Sequence, residues 1–216
     1  MSYGDYDDSM DRYDEWIAEL YVEHVEEFTL ERLKSYYIEN PALAEEPLRA
    51  LSEARSLFYK HAAASIIFSA IAIGTGLKLV LIKPIVFGLV HSEAAANIIT
   101  ELTITHTGLD RYKTLIFKIL LDYGTIDFGS YVREGSSKTL WEEINDVQKM
   151  RNAIAHRAQL AIVRRDDAET AIAVASALLE DIFPKVINYL ELHLHEDYVI
   201  CGNKYCKMKK IETRGG

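Results

Sequence analysis

The apolar stretch between His61 and His91 constrains the fold more than any other part of this sequence. It reads HAAASIIFSAIAIGTGLKLVLIKPIVFGLVH, and its longest uncharged part, residues 61–77, has 17 residues. A membrane-spanning helix needs about 20 predominantly apolar residues, and this stretch is also rich in Ala, Ser and Gly. The stretch therefore favours a buried core helix over a membrane span, and we expect no membrane partner.

The apolar pattern elsewhere predicts an all-α fold with four or five main helices. Pro84, Gly74, Gly76 and Gly88 are expected to break the long apolar stretch rather than let it continue as one rod. The segment DYGTIDFGSYVREGSSK, residues 122–138, is predicted to be a loop with at most a short extended piece. Helices are predicted over residues 15–37, from 46 into the apolar stretch, and over 92–103, 109–123, 139–163 and 167–195.

The net charge of −9 is concentrated at the N-terminus. Residues 1–27 hold ten acids and one base, so the rest of the chain is neutral overall. We divide the chain into an acidic extension (1–14), a helical domain (15–196) and a basic tail (197–216). The acidic N-terminus is unlike a secretory signal, and two cysteines suit a reducing compartment, so we expect a cytoplasmic location.

A basic stretch lies within the last third of the chain. Residues 147–165 contain five bases and no acid. Local positive charge is typical of phosphate binding, although a solvated helix face has the same composition. Lys149 and Arg157 are the candidate substrate-binding residues of this stretch.

Four possible zinc ligands lie near the C-terminus: His193, His195, Cys201 and Cys206. Zinc favours tetrahedral nitrogen and sulfur ligation, so the residue types are suitable. The spacing of the two cysteines fits the C-x₂₋₄-C pattern only at its limit. A helix end that leads into a hairpin or a basic tail explains the same residues. We therefore assign no metal site, and zinc binding stays open.

The most specific signal is RNAIAHR, residues 151–157, within a predicted helix. Thr139 and Glu142 have the spacing of a capping box, which predicts that this helix begins near Thr139. Arg151 falls on the core-facing stripe of the helix, where a guanidinium is costly unless an anion meets it. That anion is either a carboxylate elsewhere in the fold or a ligand. The apolar members of the stripe are Leu140, Ile144, Val147, Ile154 and Ala158.

Polar residues follow a second face of the same helix. Asn152 and His156 are four residues apart, so both project from one face, which Gln148 and Gln159 extend. Arg151 lies about 140° around the helix from His156, so two helices meeting across a cleft would bring the two residue types together. The alternative is structural: Arg151 extends its head to solvent, and the Asn and His serve neighbouring groups.

The hexapeptide RNAIAH resembles the R-x₄₋₆-H signature of the HEPN superfamily (higher eukaryotes and prokaryotes nucleotide-binding). A polar residue, often Asn, directly follows the Arg in that signature, and Asn152 matches it. The predicted organisation is also similar, because HEPN domains are antiparallel bundles of four or five helices with the motif late in the chain and a long final helix after it. The resemblance covers about residues 29–196.

The resemblance implies a metal-independent endoribonuclease of toxin–antitoxin or phage-defence type, which leaves a 2′,3′-cyclic phosphate. Arg151 and His156 would be catalytic, and Asn152 would orient them or the phosphate. The implied partners are RNA, a second copy of the chain, and an antitoxin or other regulatory protein; no cofactor is implied. Several HEPN proteins have lost activity, so the alternative is an inactive helical module that binds RNA, a nucleotide or a protein.

Overall fold

In a computed structural model of this protein, residues 28–89, 113–157 and 163–202 are described. This part of the chain is mostly helical, which confirms the predicted all-α character. It contains six helices, more than the four or five predicted, and one two-stranded sheet. The predicted helix over 92–103, the acidic extension and most of the basic tail lie outside the described residues. In chain order the helices are α1 (28–39), α2 (Glu45–Leu57), α3, which begins at Ala62, α4 (Lys113–Gly124), α5 (Leu140–Arg157) and α6, which begins at Arg165.

Two of these helices are long, and both change their hydrogen-bonding pattern part of the way along. Helix α3 is α-helical over Ala62–Thr75, π-helical over Gly76–Ile82 and α-helical again over Lys83–Leu89. Helix α6 follows the same order, with Arg165–Ser176, Ala177–Ile182 and Phe183–Tyr189. The prediction that the apolar stretch breaks at its glycines and proline is therefore wrong within residues 62–89.

The π-helical segments explain why the prolines do not end the helices. Pro84 and Pro184 each lie one residue after the start of the final α-helical segment. A proline lacks an N–H, and its ring clashes with the carbonyl four residues earlier. In both helices the residue before the proline donates its N–H five residues back, from Lys83 to Lys78 O and from Phe183 to Leu178 O. The wider turn leaves room for the proline ring.

Helix α3 lies at the centre of the fold and contacts α2, α5 and α6. The α2–α3 connection is short, and the Ser65 hydroxyl donates to Ala54 O at 2.7 Å where the chain folds back. Among the described residues, one helix, Ala62–Phe87, is long and apolar enough to cross a membrane, with a mean hydropathy of 2.1. The most apolar 18-residue stretch of this helix is 61% buried inside the fold, as in the core helix of a globular protein.

The chain after α6 forms a hairpin, so the prediction of a helix to residue 195 is wrong. Helix α6 ends at Tyr189, and Glu191 adopts a φ of 57°. Strand β1 (His193–Leu194) then pairs antiparallel with β2 (Ile200–Cys201). The sequence LHLH over residues 192–195 alternates apolar and polar, which is the period of a strand rather than of a helix.

Candidate functional site

Helix α5 presents the RNAIAH motif, and its first turn is held as the sequence predicts. Thr139 N donates to the Glu142 carboxylate at 2.9 Å, and Glu142 N donates to Thr139 Oγ1 at 3.3 Å, which confirms the capping box. These bonds satisfy backbone N–H groups that the first helical turn would leave without partners. The core-facing side of α5 packs on α3 and on the first segment of α6. Its buried apolar residues include Leu140, Ile144, Val147 and Ile154.

Arg151 lies at the edge of the core rather than on a fully buried seam. Its side chain is half-buried, and its guanidinium donates to Gln148 Oε1 at 3.3 Å. Gln148 Nε2 in turn donates to Ala70 O of α3 at 3.4 Å. The position on the core-facing stripe does not bury the guanidinium fully, because the long side chain reaches the boundary of the core and leaves its head group there, as in the structural alternative. Within the described residues, no carboxylate lies within ion-pair distance of Arg151.

Asn152 and His156 are both exposed on α5, four residues apart and on one face, as predicted. The structure brings these two side chains onto a common surface, with Arg151 beside Asn152 at the margin of the core. Arg151 and His156 make no hydrogen bond to each other in the described part of the chain. The side chain of Arg157 and the whole of Gln159 lie outside the described residues.

Lys149 is exposed, but it forms an ion pair with an acid one turn earlier on the helix. Its Nζ lies 3.3 Å from Asp146 Oδ1, and Asp146 Oδ2 accepts from Lys138 Nζ at 2.7 Å. The hydrogen bond from Lys138, with the weaker one from Lys149, lowers the pKa of Asp146 below its usual value. The carboxylate therefore stays ionised near neutral pH and partly cancels the charge that Lys149 offers to a substrate.

The other described bases of the basic stretch also have partners. Arg164 Nε lies 3.7 Å from the Asp167 carboxylate, and Arg164 N donates to the same group at 2.9 Å. The Arg165 guanidinium carbon is 5.7 Å from the centre of the Tyr59 ring, within the range of a cation–π contact. The basic stretch is consequently not an open positive patch over its described residues, and Arg151 is the base among them whose partner is a neutral amide.

A second pair of charged residues, absent from the sequence-based predictions, lies about two turns before Arg151, where the preceding loop meets α5. Arg133, in the loop over residues 125–139, donates from Nε and Nη2 to the two carboxylate oxygens of Glu143, each at 2.9 Å. Both side chains are largely buried, at 18% and 7% exposure. The sequence did contain one signal, because Glu143 falls on the apolar stripe of α5 and a buried acid requires a cation.

This ion pair forms part of the wall of a cleft of about 280 Å³ between the loop and α5. Lys138, Asp146 and Met150 also line it, so the cleft opens on the turn of α5 that precedes the motif. A larger cleft of about 600 Å³ lies between the α1–α2 turn and α3, where Asn40, Arg49 and Lys83 contribute to its lining. It contains no residue of the motif.

Comparisons with models of known protein families, with characterised proteins and with solved structures gave no match for this chain.

Proposed function

We propose that this protein is a metal-independent endoribonuclease of HEPN type. The observation that carries the proposal is the composition of one surface of α5. Asn152 and His156 share an exposed face, and beside them stands Arg151, whose charge no described carboxylate neutralises. A half-buried cation that lacks an acidic partner is suited to receive an anion from outside the fold.

The proposed reaction is an internal transesterification of RNA. A ribose 2′-oxygen forms a bond to the adjacent phosphorus while the bond from phosphorus to the 5′-oxygen of the next nucleotide breaks. The 2′-hydroxyl loses a proton and the departing 5′-oxygen gains one, so the products are a 2′,3′-cyclic phosphate and a 5′-hydroxyl. His156 acts as general base or general acid, since an imidazole can both accept and donate a proton.

Arg151 stabilises the negative charge that develops on the phosphate oxygens. Its guanidinium can donate two parallel hydrogen bonds to a phosphate, and Gln148 restrains its position with a single longer contact. Asn152, directly beside it in sequence, orients the phosphate or the arginine. Lys149 and Arg157 add charge along the backbone of the RNA, with Lys149 weakened by Asp146.

The proposed setting is that of a cytoplasmic toxin or phage-defence nuclease that acts as a homodimer. In one helix Arg151 and His156 lie about 140° apart, whereas two copies of α5 across a cleft can supply one arginine and one histidine to the same phosphate. An antitoxin or other regulatory protein is the partner class that such a nuclease requires, because an uncontrolled ribonuclease harms its own cell.

A second candidate function is supported by the ion pairs that two bases of the basic stretch form with neighbouring acids. Lys149 and Arg164 each share charge with an acid, which weakens the electrostatic attraction to a polyanion. The alternative is a catalytically inactive helical module that binds RNA, a nucleotide or a protein, and this observation favours the protein partner, which needs no open positive patch.

The test is RNA cleavage by the purified full chain in the presence of EDTA, with fluorescent RNA and mapping of the product ends. We expect cleavage to persist in EDTA and to leave cyclic phosphates, because no step uses a metal. Arg151→Ala and His156→Ala should each lose about 10²–10³ in rate, the usual effect of removing one transition-state donor.

Two variants provide matched controls for a contaminating nuclease and for nonspecific loss of charge. Arg49→Ala removes an arginine of α2 that is exposed, and His61→Ala removes an exposed histidine before α3. Both should cleave like the unmodified protein. Equal cleavage by all five preparations would show that the activity is not on α5, and RNA binding without any cleavage would support the second candidate function.

A further inference from the structure

The C-terminal hairpin places two histidines and a cysteine on one of its faces. His193 is paired directly with Cys201, and Leu194 with Ile200. Successive residues of a strand point to opposite faces, so His195, two residues after His193, lies on the same face as His193 and Cys201. Leu194 and Ile200 occupy the other face, where Ile200 is buried and Leu194 packs against the core. The apolar face of the hairpin thus fixes which way the three polar side chains point.

The donor atoms of these three side chains lie close enough to share one ion. A nitrogen of each histidine and the sulfur of Cys201 all lie within 4.8 Å of one another. The two imidazole rings have centroids 4.7 Å apart and are nearly perpendicular, at 78°. Zinc bonds of roughly 2.0–2.3 Å in a tetrahedron hold neighbouring donors about 3.3–3.8 Å apart, so small side-chain rotations suffice.

One atom of the cluster has no partner in the fold. His195 Nε2 is buried and makes no hydrogen bond among the described residues. A buried polar nitrogen without a partner carries a free-energy cost, because burial has removed its hydrogen bonds to water. A metal ion that accepts its lone pair would remove that cost, and the half-buried setting of all three side chains limits competition from water.

We propose that His193, His195 and Cys201 bind one Zn²⁺ ion through two imidazole nitrogens and one thiolate sulfur. Nitrogen and thiolate donors together favour zinc over magnesium or calcium, which prefer oxygen. Cys206 lies outside the described residues, five positions after Cys201 in the sequence. The described residues thus supply three of the four positions of a tetrahedral zinc site.

The ion is structural, and it joins the two strands of the hairpin, because all three ligands lie on the hairpin. The hairpin has two-residue strands, which are marginal without further support. It is attached by Ile200 N, which donates to Pro41 O at 2.9 Å, and by packing on the last segment of α6. Helix α5 packs on the first segment of α6 instead, so the metal takes no part in the proposed RNA cleavage.

The test is the metal content of the full chain, purified without chelator from zinc-supplemented cultures and measured by mass spectrometry. We expect one zinc ion per chain, and a higher melting temperature with bound zinc than after its removal. Replacement of zinc by Co²⁺ should give the intense charge-transfer absorption of a cobalt–thiolate bond, which reports the sulfur ligand directly.

Single substitutions identify the ligands. Cys201→Ser and His195→Ala should lose stoichiometric zinc, and Cys201→Ser should weaken the cobalt–thiolate absorption. His61→Ala, which removes an exposed histidine far from the hairpin in sequence, is the control and should keep its zinc. Far-ultraviolet circular dichroism checks that each variant retains its helices, so that loss of metal is not loss of fold.

Three results would overturn the proposal. The first is an unmodified protein that retains no zinc, and the second is zinc retained undiminished by Cys201→Ser and His195→Ala. The third is a Cys201–Cys206 disulfide in protein purified under reducing conditions, shown by thiol titration.

Discussion

At the scale of single residues, two arginines near the start and the end of α5 meet different partners. Two nitrogens of the Arg133 guanidinium donate to the two oxygens of one buried carboxylate. Arg151 instead makes one hydrogen bond to a neutral side chain. The first arrangement is a closed pair, in which each charge offsets the desolvation of the other. The second leaves a positive charge at the edge of the core that an incoming anion can neutralise.

Arg133→Ala should destabilise the protein far more than Arg151→Ala. Removing Arg133 leaves the Glu143 carboxylate buried without a cation, which costs about 3–5 kcal/mol. Removing Arg151 leaves an amide oxygen without one hydrogen bond, which costs about 1 kcal/mol or less. Urea unfolding of both variants measures the difference. The double variant Arg133→Ala/Glu143→Ala should regain part of the loss, and equal losses for the two single variants would contradict this account.

At the scale of elements, the two π-helical segments let α3 and α6 pass through a proline without a break. Pro84 cannot supply the N–H that Val80 O would accept in an α-helix. The hydroxyl of Tyr37, on α1, donates to that carbonyl instead. Burial raises the pKa of Tyr37 well above its usual value, so the hydroxyl remains a donor at any physiological pH. A neighbouring helix thus provides a donor in place of the N–H that Pro84 lacks.

The two π-helical segments also meet each other at a glycine, which allows a matched pair of substitutions. A Cβ atom on Gly76 would lie 2.6 Å from Leu179 Cδ2, whereas one on Gly74 would meet nothing within 4 Å. Gly74→Ala should stabilise the protein by up to about 1 kcal/mol through helix propensity. Gly76→Ala gains the same propensity but overpacks a buried contact, at a cost of about 1–3 kcal/mol. Thermal unfolding of both variants should show opposite shifts, and two equal shifts would exclude a tight contact at Leu179.

At the scale of the whole molecule, the candidate site is incomplete in one chain under our proposal. Asn152 and His156 share the exposed surface of α5, whereas Arg151 lies about 140° around the helix from His156 and donates to Gln148. A two-fold dimer that brings two copies of α5 together would place the arginine of one chain near the histidine of the other. Each dimer would then hold two composite sites.

Mixed variants test this arrangement. After subunit exchange between Arg151→Ala and His156→Ala, half of the dimers are mixed, and each holds one intact composite site of two. Cleavage should therefore recover to about one quarter of the unmodified rate, although neither variant is active alone. Sedimentation should show a dimer at micromolar concentration. No recovery in a mixture that has exchanged would place Arg151 and His156 of the same chain in one site, and a monomer that cleaves RNA would contradict the dimer itself.

The local features of α5 and of the loop before it were predictable from the sequence. The two residues of the capping box, Thr139 and Glu142, are three positions apart. Asn152 and His156, which share a face, are four positions apart. Such relations follow from the geometry of one helical turn, which the sequence alone specifies. The buried stripe of α5 was predictable for the same reason, because apolar periodicity defines which face turns inward.

Only the tertiary structure decided which distant residues meet. Arg133 and Glu143 pair across a loop, the Tyr37 hydroxyl reaches a carbonyl of α3, and the turn at Glu191 starts the hairpin that brings His193 to Cys201. The same holds for the continuity of α3, where Pro84 predicts a break and the helix instead widens. Contacts of this kind depend on how whole helices pack, and packing free energy outweighs the local preference of any single residue in the chain.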